Sequence, residues 1–154
     1  MARILVTGMS GTGKSTVLAA LAARGYLTVD TDLDGWTDGD GGPWDAARMA
    51  DLLATEATVV VSGTSENQGD FYDRFEQVVL LSAPVEVLIE RVRARTNNPY
   101  GHTVEQQDRI RAHVADVEPL LRRGASIELD ARMPIHELAE VIARLAGPRP
   151  TRHD

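Results

Sequence analysis

"RILVTGMSGTGKSTVLAALAARG", residues 3–25, passes from an apolar strand through a glycine-rich turn into an amphipathic helix with no residue to spare. RILV is a short apolar run that ends in a turn, and so reads as a strand. Val17, Leu18 and Leu21 mark the apolar side of the helix, and Gly25 is its stop signal. Between them, GMSGTGKS (residues 8–15) matches G-x-x-x-x-G-K-[ST] in the strand–loop–helix setting that gives the pattern its meaning. Gly8, Gly11 and Gly13 let the chain curl so that successive N–H groups point at one anion. The start of the helix adds its positive end. Lys14 is then placed to bridge β- and γ-phosphates, and Ser15 to ligate Mg²⁺. Among the 16 Lys and Arg residues Lys14 is the only lysine, a compact ammonium in a chain that otherwise uses the planar guanidinium fork.

Outward from this unit, strands and helices alternate. YLTVD (residues 26–30) reads as a second strand, residues 35–43 as a Gly/Asp-rich loop, and residues 44–54 as a helix with Met49, Leu52 and Leu53 on one face. TVVVSG (58–63) and QVVLL (77–81) are apolar without alternation, as strands of a parallel sheet covered on both faces are. Pro84 suits a first helical turn, ahead of Val85, Leu88, Ile89 and Val92 at helical spacing. TNNPYGHT (96–103) is a turn-rich break. A long helical stretch follows with Ile110, Val114, Val117 and Leu121 in phase, and Pro119 is expected to kink or end it. ASIEL is a fifth strand, and residues 134–146 form a last helix. The pattern predicts one domain over residues 1–147: three layers, α/β/α, around a five-stranded parallel sheet, with a disordered tail at 148–154.

Bulk composition narrows the function classes. The chain has 154 residues, 43% of them apolar, enough to bury a core without a disulfide or metal staple. It has no cysteine, which excludes thiol catalysis and thiolate zinc sites and fits a reducing compartment. The start MARILVTG lacks the apolar run of a signal peptide, and no stretch approaches membrane-spanning length, so a cytoplasmic protein is expected. A net charge of −7 speaks against nucleic acid as a main partner.

VDTDLDGWTDGDGG (29–42) crowds carboxylates at the end of the second strand. Mg²⁺ and a phosphate-neutralising site are the positive charge that such a crowd needs. The second strand is expected near the first, bringing Asp30 and Asp32 to the carboxyl edge where open α/β sheets bind ligands. Residues two apart on a strand face the same side, so one carboxylate can serve the metal and the other an acceptor hydroxyl. Asp34, Asp38 and Asp40 read as loop solvators.

The phosphate-binding loop, the VDTD and the arginine-rich end of the helix after the fourth strand resemble the small P-loop kinases of the nucleotide-kinase and shikimate-kinase-like group. The resemblance covers roughly residues 3–145 in element order. It implies ATP with Mg²⁺ and transfer of the γ-phosphoryl group to a small-molecule acceptor. Carried over by position, Asp30 is metal-side with Ser15, and Asp32 is acceptor-side. The nucleotide-holding set becomes Gly8, Ser10, Gly11, Thr12, Gly13, Lys14, Ser15 and Thr16. Such kinases also close an arginine-bearing lid. Here residues 90–103 are the candidate, with Arg91 flanking the adenine and Arg95 reaching the transferring phosphoryl group.

Departures from the resemblance bear on the acceptor. VVVSGTSENQG (59–69) lacks the three consecutive glycines of shikimate kinases and the acidic residue of motor or AAA-type ATPases. The helix before the fifth strand has no arginine where shikimate kinases grip the acceptor carboxylate; Arg122 and Arg123 come later. Both features speak against shikimate. The acceptor region is expected between the second-strand loop, the Trp44 helix and residues 62–72. Trp36, Trp44, Phe71 and Tyr72 could stack a planar acceptor there or plug the core. Arg48 and Arg74 are the cations available to an anionic acceptor. His102, His113, His136 and His153 lack metal spacing and read as surface residues. Antibiotic phosphorylation is another enzymatic reading, and a nucleotide-binding switch acting through a protein partner is the reading from a different class. Oligomeric state stays open.

Overall fold

The computed structural model describes residues 2–9, 11–37, 42–95 and 100–148. Five strands, β1 (Arg3–Gly8), β2 (Thr28–Asp30), β3 (Val59–Ser62), β4 (Gln77–Ser82) and β5 (Ile127–Asp130), form one parallel sheet in the order β2-β3-β1-β4-β5. The helices are α1 (Lys14–Ala23), α2 (Ala46–Thr55), α3 (Val85–Ala94), α4 (Val104–Gly124) and α5 (Ile135–Ala146), with a 3-10 helix at Gln68–Arg74. The expected three-layer α/β/α architecture is therefore the observed one. β3 lies between β1 and β2, so the second strand is near the first but not beside it.

Both faces of the sheet are covered because the central strands are apolar on both sides. Ile4 and Val6 of β1 pack with Val17 and Leu21 of α1 and Leu138 and Ile142 of α5. Leu5, pointing the other way, joins Met49 and Leu53 of α2, the aromatic residues Trp44 and Phe71, and Phe75. On that same face Leu80 of β4 meets Leu88 of α3 and Leu121 of α4. Caps come from the residues the sequence supplies. Asp45 Oδ1 accepts from Arg48 N at 3.1 Å at the start of α2, and Thr103 Oγ1 accepts from Gln106 N at 3.2 Å at the start of α4.

Pro119 does not end its helix. α4 runs through it to Gly124. The turn around Pro119 faces solvent, and Ile110 and Leu121, on either side of it, are buried. Water can serve the carbonyl that loses its helical partner, while packing at both ends holds the helix in register. The 3-10 helix, absent from the sequence reading, forms where Gln68 and Phe71 turn into the core.

Candidate active site

The loop between β1 and α1 is shaped by close approaches. A Cβ on Gly8 would lie 2.5 Å from the Leu81 carbonyl oxygen of β4, so only glycine lets the two strands meet there. Gly11 has φ +87°, and a Cβ on it would lie 2.9 Å from the Leu88 carbonyl oxygen of α3. Thr12 is buried, and its Oγ1 donates to the Met9 carbonyl at 2.9 Å, bracing the loop from within. Gly13 caps α1 in the left-handed conformation. Thr16, in the first turn of α1, is exposed; Ser10 lies outside the described residues.

Lys14 reaches back across this loop. Its Nζ donates to the Gly8 carbonyl at 2.6 Å and the Met9 carbonyl at 3.1 Å. Burial lowers its pKa from the usual lysine value to about 8, and the negative charges of Asp32 and Asp30 partly offset this. An ammonium held against two carbonyl oxygens with two carboxylates nearby is an incompletely compensated cation, which phosphate oxygens would complete.

Asp30 ends β2 and Asp32 lies in the turn that follows, so a turn rather than strand alternation places the second carboxylate. Ser15 Oγ donates to Asp30 Oδ2 at 3.0 Å, and Asp30 Oδ1 accepts from the Asp32 backbone N–H at 3.0 Å. A hydroxyl and a carboxylate side by side at a solvent-open edge are a donor set that suits Mg²⁺. That ion keeps several waters and takes its remaining ligands from substrate phosphates. Among the described residues no group of three or more His, Cys, Asp or Glu forms a self-sufficient metal cage.

Asp32 lies apart from that pair. It is exposed and lines, with Gly8 and Lys14, a cleft of about 670 Å³. The opposite walls come from Thr64, Ser65, Glu66, Gln68, Gly69 and Tyr72, and from His113, Val117, Leu120 and Leu121 of α4. Thr64 is tied to the loop, its Oγ1 donating to the Gly8 carbonyl at 2.7 Å. Gln68 is buried; its Oε1 accepts from Ser65 N at 2.9 Å and its Nε2 donates to the Tyr72 hydroxyl at 2.8 Å. Tyr72 fits flat against α4 because Gly124 has no side chain: a Cβ there would lie 2.1 Å from the Tyr72 ring.

Several expected residues are elsewhere. Trp36, Trp44 and Phe71 are core residues, not stacking platforms: Trp44 and Phe71 pack tilted at 6.0 Å, and only Tyr72 of the four aromatics reaches the cleft. Arg48 lies over the Trp36 ring at 4.0 Å and donates to the Asp34 carbonyl. Arg74 lies over Phe71 and lines a different cavity, beside Arg3 and Glu76 at the opposite edge of the sheet. Arg91 ties the phosphate-loop region to the β5–α5 turn, donating to the Gly11 carbonyl at 3.2 Å and the Ala131 carbonyl at 2.7 Å. Arg95 turns toward the segment that follows it, with Nη2 donating to the Tyr100 carbonyl at 3.2 Å and a buried Nε without a hydrogen-bond partner among the described residues. Residues 96–99 of the expected lid lie outside the described residues. His113 lines the cleft, a placement that its unremarkable sequence setting did not signal.

The fold and the loop define the class: a P-loop protein in which Asp30, at the end of β2, and Asp32, in the turn after it, stand at the carboxyl edge of the sheet. The profile of a family described as AAA domain matches residues 4–114, and the chain belongs to that family. Its fold and phosphate loop are those of the small P-loop kinases of the shikimate- and nucleotide-kinase-like group. The shikimate kinase of Halorhodospira halophila is 28% identical over 148 residues, covering 83% of each protein. A protein of Koribacter versatilis described as nucleotide-binding is 28% identical over 153 residues, but the chain spans only 47% of its length. A solved shikimate kinase from Acinetobacter baumannii, in complex with shikimate, superposes with a TM-score of 0.70 at 23% identity, over 94% of this chain and 92% of that one. A gluconokinase from Sinorhizobium meliloti superposes with a TM-score of 0.64 at 26% identity, over 94% and 93%. In this member of the AAA-domain family β3 ends in Ser62 followed by Gly63, and the carboxylates near Lys14 are Asp30 at the end of β2 and Asp32 in the turn after it.

Proposed function

We propose that the protein is an ATP-dependent phosphotransferase that moves the γ-phosphoryl group to a hydroxyl of a small molecule. The observation that carries this reading is that Lys14 and Asp32 face one cleft. A phosphate-neutralising cation and a carboxylate base on a shared cavity are what an acceptor kinase needs; a nucleotide switch needs no acceptor base.

In this reading Gly8, Ser10, Gly11, Thr12, Gly13 and Thr16 hold the triphosphate, and Lys14 neutralises the charge that develops on it. Ser15 and Asp30 hold Mg²⁺, which supplies further charge neutralisation at the phosphates. Asp32 orients the acceptor hydroxyl and takes its proton as the oxygen bonds to the γ-phosphorus. The bond from that phosphorus to the β,γ-bridging oxygen breaks, and ADP carries the electron pair away. Arg91 lies on the adenine side. Arg95, with its unsatisfied Nε, swings from Tyr100 to the phosphates when the lid closes and excludes water. The kinases among its relatives support this reading. Relatives described only as nucleotide-binding keep the switch as the second reading. Measured ATP consumption separates them: a kinase is accelerated by particular acceptors, whereas a switch turns over at the same slow rate with all of them.

A further inference from the structure

The polar equipment of the cleft is acidic or uncharged, apart from Lys14, which the phosphates would occupy, and the His113 imidazole of α4. Its carboxylates are those of Asp32 and Glu66. Glu66 is exposed and forms no ion pair among the described residues. Between them stand neutral groups. The Tyr72 hydroxyl accepts from the buried Gln68 amide and keeps its own proton to donate, and Thr64 and Ser65 line the same wall. Val117, Leu120 and Leu121 make the facing wall apolar.

No arginine lines this cleft among the described residues, and several outside it are held in ion pairs. Arg122 pairs with Glu118 and Glu128, Arg111 with Glu86 and Asp108, and Arg132 with Asp130. Arg109, one turn before His113, lines an adjoining cavity of about 170 Å³ that shares Met9 and His113 with the cleft. The internal residues outside the description, Ser10, 38–41 and 96–99, contain no lysine or arginine in sequence. A carboxylate or phosphate entering here would meet two like charges with no guanidinium in the lining, and with only the His113 imidazole and neutral groups to bond it once the phosphates occupy Lys14; burying a poorly paired anion is costly.

We infer that the acceptor is an alcohol without an anionic group, neutral or cationic, with an apolar face, and that Glu66 receives its distal hydroxyl or ammonium donors. This inference rests on the kinase reading above and narrows its substrate class.

Matched acceptor pairs test it in an ATP-consumption assay: glucitol against gluconate, adenosine against AMP, and glucosamine against glucose. The expected result is at least a ten-fold higher kcat/KM for the uncharged member of each of the first two pairs, and equal or better use of glucosamine. Glu66→Gln should raise KM for the accepted alcohol several-fold with kcat and ATP affinity little changed, and Glu66→Arg should shift the preference within each pair toward the anion. Faster turnover of gluconate or AMP than of their uncharged partners by the wild-type protein overturns the inference while leaving the kinase reading intact. So does a Glu66→Arg variant with unaltered preference. ATP consumption that stays flat across all pairs overturns the kinase reading, and this inference with it.

Discussion

The two halves of the proposed active site are built in opposite ways. The half proposed for the nucleotide is local: Gly8 and Gly11 are dictated by the Leu81 and Leu88 carbonyls, and Lys14 folds back to the Gly8 carbonyl. The half proposed for the acceptor is assembled at long range from Asp32, the segment after β3 and α4, which meet only because these elements come together in the fold. Backbone geometry sets the first, so it tolerates little substitution. Side chains set the second, so its specificity can change without altering the fold.

The sharpest way to break this contrast is to damage the local half. Gly8→Ala places a Cβ against the β4 backbone and should abolish nucleotide binding and lower the thermal midpoint, whereas Ser65→Ala, in the assembled half, should fold and bind ATP normally. Fluorescent-nucleotide titration and thermal melts of both variants decide the point.

Lys14→Met comes next. Transfer should fall on the order of 10² to 10³ or more, yet the nucleotide-free protein should melt higher than wild type. The folded pKa of Lys14, about 8, lies below its unfolded value, so the unfolded state binds the extra proton. Wild-type stability therefore rises with pH from about 8 toward the ordinary lysine pKa, and the advantage of the variant should be full below pH 8 and fade across that window. Melts in a pH series check the sign.

Arg95→Ala should lower transfer about ten-fold or more while ATP affinity changes little, and Arg95→Lys should rescue poorly because an ammonium cannot reproduce the fork. Hydrogen exchange of residues 95–103, with and without a non-hydrolysable ATP analogue, should show protection on binding. Smallest of all, Arg48→Ala removes a surface cation stacked on Trp36; it should cost about 1 kcal/mol or less in stability and leave kinetics unaltered for every acceptor.

These contrasts track what the sequence could reveal. The phosphate loop and the five strands were legible because each follows from a short-range pattern, glycine spacing or apolar runs; Asp30 beside Ser15 came from the family resemblance, and the observed Ser15–Asp30 hydrogen bond agrees with it. The strand order around β2 was not, since no local signal says that β3 inserts between β1 and β2. Trp36, Trp44 and Phe71 were misleading for the same reason: an aromatic residue near a site looks alike whether it faces the cleft or the core, and packing against Met49 and Leu53 decides it. Gly124 meets Tyr72 only because α4 continues past Pro119, and His113 reaches the cleft only through the packing of α4.

The central claim is that Lys14 and Asp32 serve one reaction from two sides of a shared cleft, and the split between binding and transfer in Asp32→Asn tests it most directly. The amide keeps the shape and loses the base. ATP affinity measured by titration should stay within a few-fold of wild type, while acceptor-dependent transfer falls on the order of 10² or more. Loss of ATP affinity matching the loss of transfer would place Asp32 with the metal and phosphates, and would contradict the division of the site set out above.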